Sequence, residues 1–318
     1  MNDFLREIEN AETIVLLGHM RPDGDCVGSC LGVYNYVIDN YPDKEIDVYL
    51  DNFKQEFMFL RGADKILHDK KDKNYDLCIS IDSGDLKRHG EFESYFHAAK
   101  RTMCVDHHIS NQGFGDVCFV KTECAAAAEA LYTLFEEDKI NSECAECLYV
   151  GIVHDTGVFK FSNTTKQTME IAGALIEKGA RTTEVIDGTF YKKTFKQNKM
   201  LAKALEEAFL MFDGKVIVSC LTKEVFDENN ATNLDTDGVV DALRITDGVE
   251  CALWMYEYPI KGRFKCSLRS NDKVNVNLVA SAFGGGGHIR AAGCEMDGDK
   301  DTIMLKVTEL IKEQLDNN

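Results

Sequence analysis

Apolar positions in the first half of the chain come in two alternating kinds. Short unbroken runs rich in Val, Ile and Leu occupy positions 13–18, 45–50, 76–81 and 102–106. Between and after them, at 26–40, 123–137, 142–154 and 165–178, apolar residues recur at helical spacing. Continuous apolar runs suit parallel strands buried on both faces, and a 3.6-residue period marks amphipathic helices. The alternation predicts an α/β fold: a doubly wound, mainly parallel sheet with right-handed crossovers. In such sheets ligands bind beyond the carboxyl ends of the strands.

The second half is patterned differently. Positions 215–221 and 251–258 read as strands. From Lys261 to Arg269 the alternation is of period two, placing Lys261, Arg263, Lys265 and Arg269 on one face and Phe264, Cys266 and Leu268 on the other. Segment 274–282, a glycine-rich turn and a closing helix at 301–316 follow. This predicts a smaller α+β domain with a cationic sheet face. Five lysines between Gly188 and Leu205 (Lys192, Lys193, Lys196, Lys199 and Lys203) have no acid among them. That stretch is read as the connection, giving domains at 1–187 and 204–318 joined by a basic linker at 188–203, with a cleft between them.

Composition narrows the function. A chain of 318 residues with 44% hydrophobic content can fill two cores. Its polar start and the lack of any apolar run near ~20 residues predict a cytoplasmic protein without a membrane span. Most of the twelve cysteines lie in apolar runs and read as small hydrophobes, not a disulfide framework. Cys144-x-x-Cys147 lacks the second pair that a zinc knuckle needs. A net charge of −18 argues against coating long duplex nucleic acid, though not against a small anion held by cations in a cleft.

Four acid and histidine clusters stand where a strand or helix pattern stops. They are His19-x-x-x-Asp23-x-Asp25, Asp82, Asp106-His107-His108 and His154-Asp155. One Asp-Gly-Asp is an ordinary polar loop, but four such clusters at element ends are hard to explain as solvated surface. Carboxylates mixed with imidazoles suit Mn²⁺, with Mg²⁺ or Co²⁺ as substitutes. Asp82, alone at its strand end, is the natural bridge between two ions. A pair of cations would activate a shared water and neutralise charge on phosphoryl oxygens. His107 and His108 are adjacent, so one can bind metal while the other meets substrate. In the second half, Gly284-Gly285-Gly286-Gly287-His288 with Arg269 upstream reads as an anion cradle.

These segments (GHMRPDGDCVGS, CISIDSGD, VDHHISNQGFG, GIVHDTGVFKF, SLRS and VNVNLVASAFGGGGHIRAAG) resemble the DHH/DHHA1 phosphoesterases of the stand-alone oligoribonuclease and phosphoadenosine-phosphate (pAp) phosphatase type. The likeness runs from Gly18 to Gly293. It implies that His19 and Asp23 hold one Mn²⁺, that Asp25, His107 and Asp155 hold another, and that Asp82 bridges them. It further implies that His108 contacts the scissile phosphate and that Arg269, Gly286, Gly287 and His288 hold the far end of the substrate. Asp106 is expected to orient the neighbouring imidazoles, and His154, which matches no ligand of the family, to serve packing or to support a ligand from behind. The implied activity is release of 5′-mononucleotides from short RNA and of the 3′-phosphate from pAp. Alternatives are cleavage of cyclic di-AMP or its linear product pApA, inorganic pyrophosphate hydrolysis, and a non-catalytic nucleotide-binding module. A homodimer is compatible with this reading, but no segment specifies one.

Overall fold

The computed structural model describes residues 2–317, which divide into two compact units between Lys192 and Lys193. In the first unit the strands are β1 (Thr13–Leu17), β2 (Glu45–Tyr49), β3 (Leu77–Ile81), β4 (Arg101–Asp106) and β5 (Val117–Val120). They form one sheet of order β2-β1-β3-β4-β5, parallel throughout. The helices are α1 (Asp3–Asn10), α2 (Gly24–Asn40), α3 (Glu93–Ala98), α4 (Ala127–Tyr132), α5 (Ser142–Asp155), α6 (Lys166–Glu177) and α7 (Thr182–Ile186).

Alternate residues of the central strands serve opposite cores, as a doubly wound sheet demands. Ile14, Leu16 and Ile79 pack beneath α2, α4 and α5. Val15, Leu17 and Cys78 pack against Phe92, Tyr95 and Phe96 on the other face. Register places Leu17 beside Ser80, and Ile81 beside Val105. The carboxyl ends of β1, β3 and β4 therefore open at one edge, side by side.

The second unit begins with α8 (Phe195–Glu206), β6 (Phe209–Met211), β7 (Val216–Leu221), α9 (Lys223–Glu228), α10 (Val239–Arg244) and β8 (Cys251–Glu257). It continues with β9 (Arg263–Ser270), α11 (Val276–Ser281), β10 (Gly286–His288), β11 (Ala291–Asp297) and α12 (Lys300–Asp316). The six-stranded sheet has the order β10-β11-β9-β8-β7-β6 and is mixed, β7 and β8 being its parallel pair. Val279, Ile303 and Val307 of α11 and α12 cover one face. Met200, Ala204, Phe226 and Leu243 cover the other face over β7 and β8. Beyond them, that face of β9, β11 and β10 stays exposed or half-buried.

Several elements differ from expectation. The helix expected at 123–137 forms only at α4: residues 122–126 make turns and bends, and the first N–H groups of α4 bond Asp25. Strands β5 and β11 were not foreseen, and the glycine-rich turn contains β10. The segment read as a linker holds one turn of π-helix at Asp187–Tyr191 and most of α8. The predicted face of β9 is correct, with Phe264, Cys266 and Leu268 buried. It is not a bare cationic surface, however. Arg263 and Lys265 both pair with Glu295, Lys261 with Glu224, and Arg269 lies 3.6 Å from Asp241. Among the described residues no helix is long and apolar enough to cross a membrane.

Candidate active site

The chain leaves β1 through Gly18, where an added Cβ would lie 2.3 Å from Leu50 and 2.4 Å from the Cys26 sulfur. His19 follows. Its Nδ1–H donates to the Met20 carbonyl at 2.9 Å, which leaves Nε2 to face the site. Asp23 caps α2, its Oδ1 accepting from the N–H groups of Asp25 and Cys26 at 3.1 Å each. Asp25, in the first turn, is fully buried and accepts from Ser29 Oγ, Ala127 N and Ala128 N at 2.9, 2.6 and 3.1 Å.

Asp82 leaves β3 with φ 53°, a left-handed conformation that a non-glycine residue rarely adopts. Such strain clusters where a side chain must be aimed. Its Oδ2 is 3.5 Å from His19 Nε2, and its Oδ1 is 3.5 Å from His107 Nε2. One carboxylate thus stands between two imidazoles and offers one oxygen to each. Asp23 Oδ1 lies 3.8 Å from His19 Nε2 on the first side. Asp155, ending α5, and Asp25 lie 3.1 and 3.8 Å from His107 Nε2 on the second.

Two of these atoms, Asp82 Oδ1 and His107 Nε2, are buried without a hydrogen-bond partner. Orphaned buried polar atoms are unusual and call for a partner the chain does not provide. Burial and the neighbouring Asp82 and Asp155 carboxylates hold the Asp25 carboxyl well above its ordinary value, and burial raises that of Asp155. Burial opposes charge on the imidazoles too. It is outweighed on His19 by Asp23 and Asp82, and on His107 by Asp155 and Asp82, which lift His107 to about 12. A packed set of acids and free imidazole nitrogens fits divalent cations. His19 and Asp23 would hold one ion, Asp25, His107 and Asp155 the second, with Asp82 reaching both.

His108 stands at the edge of this ring, its Nδ1 3.7 Å from Asp82 Oδ1, but its hydrogen bond goes elsewhere. Its Nδ1–H donates to Asp106 Oδ1 at 2.7 Å, while Asp106 Oδ2 accepts from Asn111 Nδ2 at 2.7 Å. The buried Asp106 thereby fixes the imidazole's tautomer and leaves Nε2 of the half-buried ring for a ligand. His154 serves packing. It bonds Thr189, lies against Phe57 and Phe190, and fills the space where Gly24 would carry a Cβ.

In the second unit, Arg269, Ala291 and His288 sit opposite one another on β9, β11 and β10. Ser267, Gly293 and Gly286 form the next row. Residues paired across a sheet share a face, so Arg269 and His288 flank a floor of Gly and Ala. Gly287 has φ 150°, and a Cβ there would stand 2.4 Å from the Ala291 carbonyl.

Three participants escaped the sequence reading. Asn111 anchors Asp106 from within the quoted motif. His89 ties the ends of β1 and β3, its Nδ1–H donating to the Gly18 carbonyl at 2.9 Å and its Nε2 accepting from Ser80 Oγ at 2.7 Å. Cys26 faces His19 and Asp82. A capping acid just before Cys26 was the available signal for the third; the first two show only through space.

Residues 13–152 match the DHH family, N-terminal domain, and residues 213–313 match the DHHA1 domain. The chain belongs to the DHH/DHHA1 family. Of the residues gathered in the first unit's site, Asp155 alone lies outside the DHH match, and Arg269 with Gly286–His288 falls inside the DHHA1 match. Among curated relatives, the "bifunctional oligoribonuclease and PAP phosphatase NrnA" of Bacillus subtilis is 28% identical over 318 residues, covering 98% of each chain. The protein of the same name from Thermus thermophilus is 26% identical over 311 residues, covering 95% of this chain and 90% of the relative. The solved structure of an exopolyphosphatase-related protein from Bacteroides fragilis superposes with a TM-score of 0.86 at 24% identity, covering 98% of this chain and 94% of that one. That likeness shows the fold.

Proposed function

We propose that this DHH/DHHA1 protein is a Mn²⁺-dependent phosphoesterase. It would hydrolyse short oligoribonucleotides to 5′-mononucleotides and remove the 3′-phosphate of pAp. The observation that carries the reading is Asp82, whose two oxygens are divided between His19 and His107 with one of them left unsatisfied. The names of the B. subtilis and T. thermophilus relatives supply the substrate class.

Two bound cations would supply an activated water and neutralise the phosphoryl charge. The chain's own residues do the rest. His108, its pKa raised first by Asp106, presents a proton on Nε2 to a phosphoryl oxygen or leaving group. Asp106 and Asn111 keep that ring from turning. The α4 N–H groups hold Asp25 in place. In the second unit Arg269 and His288 offer donors to an anion, and the Gly floor lets a flat group approach the backbone.

The test is incubation of the purified protein and Mn²⁺ with a labelled RNA dinucleotide, pAp, linear pApA and cyclic di-AMP at equal metal. Mononucleotide from RNA and phosphate from pAp are expected. Turnover confined to cyclic di-AMP would replace this reading with a cyclic-dinucleotide phosphodiesterase. Binding with no turnover on any of them would leave a nucleotide-binding module.

A further inference from the structure

Cys26 forms a wall of the same centre that the two-cation reading leaves unused. It stands at the third position of α2, its N–H held by the Asp23 carboxylate. The Asp23 and Cys26 side chains are thus fixed at one end of one helix. The thiol is fully buried. Ligand atoms of His19, Cys26 and Asp82 all lie within 4.8 Å of one another. Donors bonded to one ion at roughly 2.0–2.3 Å stand up to about 4.5 Å apart. The cluster therefore approaches coordination spacing already, with Asp23 Oδ1 3.8 Å from His19 Nε2 as a fourth donor. Cys30, one turn further along α2, belongs to no such cluster among the described residues and packs as a small hydrophobe.

We infer that Cys26 Sγ is a further ligand of the cation held by His19, Asp23 and Asp82. The inference rests on the two-cation reading above. On binding, the S–H proton leaves to solvent as the sulfur–metal bond forms. The two halves of the centre then differ in kind. The half formed by Asp25, His107 and Asp155 offers only oxygen and imidazole, whereas the half at His19 adds a soft sulfur. A thiolate turns that half towards Co²⁺ and Zn²⁺ relative to Mn²⁺ and Mg²⁺.

Co²⁺ titration of the whole protein, followed by absorption, tests this without any substrate. Visible d–d bands report bound Co²⁺, and a near-ultraviolet charge-transfer band reports sulfur on the ion. Both bands are expected in the wild type and in Cys30→Ala. Cys26→Ala and Cys26→Ser are expected to keep d–d bands and lose the charge-transfer band. Wild-type d–d bands with no charge transfer would overturn the role of Cys26 and leave the two-cation centre standing, as would a charge-transfer band intact in folded Cys26→Ser. No Co²⁺ uptake by folded wild type would sink both.

Discussion

Gly28 of α2 touches Gly151 of α5 so closely that neither position has room for a methyl group. A Cβ at Gly28 would lie 2.4 Å from the Cys147 carbonyl oxygen and 2.9 Å from the Gly151 nitrogen. A Cβ at Gly151 would lie 2.5 Å from Asp25 Oδ1. These two helices carry Asp25 and Asp155, so their spacing sets the spacing of the carboxylates. Gly28→Ala is expected to lower stability by about 1–3 kcal/mol, and to weaken Mn²⁺ binding although no ligand is removed. Thermal melts with and without Mn²⁺ would read both effects. An unchanged melting temperature and metal affinity would show that the contact is not limiting.

Asp106 acts on the reaction through His108. In Asp106→Ala the imidazole loses the acceptor at its Nδ1–H, so ring and tautomer are no longer fixed. Turnover should fall about ten- to a hundredfold, with Mn²⁺ stoichiometry unchanged. Asp106→Asn should lie between the two, because its amide oxygen can still accept. Loss of metal in either variant would move Asp106 into the ligand set.

Cation uptake should expel protons. Neighbouring carboxylates hold His19 and His107 in the charged form, His107 up to about 12. A raised imidazole stabilises the cation-free fold fully below about pH 6.5, and that contribution fades only as pH climbs to the folded value. Coordination needs the neutral ring, so Mn²⁺ competes with protons and activity should fall on acidification. Added Mn²⁺ should shift the acid limb to lower pH. Calorimetry in two buffers of different ionisation heat should give different binding enthalpies; equal enthalpies would rule out proton release.

His89 has the opposite sign. Burial lowers it to about 4, against the bond to the Gly18 carbonyl. The unfolded chain takes up its proton near pH 6.5 and the folded one does not, so stability drops as pH falls from 6.5 towards 4. The loss from this residue is roughly 3 kcal/mol. His154, also lowered by burial to about 4, adds a loss of the same sign. Urea titrations at pH 7 and pH 4.5 should show a smaller difference for His89→Gln than for the wild type. An identical difference would show that His89 does not carry this term.

Arg269 stands on the open face of the second unit, half-buried and 3.6 Å from Asp241. If it grips substrate equally before and during reaction, Arg269→Ala should raise KM roughly ten- to a hundredfold and leave kcat nearly unchanged. A fall in kcat at constant KM would place the arginine nearer the reacting phosphate.

Much of the first unit can be read from the sequence because its central strands are buried on both faces and leave continuous apolar runs. Strand β5 is an edge strand of four partly exposed residues, and its pattern is too short to stand out. Strands β10 and β11 are rich in Gly, Ala, Glu and Asp, which carry little strand preference. Their order comes from pairing with β9 and not from local propensity. The candidate ligands were legible because each follows an element end where the topology opens. Cys26 was hidden because a cysteine in an apolar helix run reads as core. The lysine and arginine stripe on β9 misled because its acids, Glu295 and Glu224, lie far off in sequence.

The crowding of Asp23, Asp25, Asp82 and Asp155 around two imidazoles has a consequence beyond chemistry. Like charges gathered about the buried Asp25 and Asp82 strain the native state, and divalent ions relieve that strain only in the folded chain. A depleted ion supply would thus thin the population of intact molecules as well as silence those that remain.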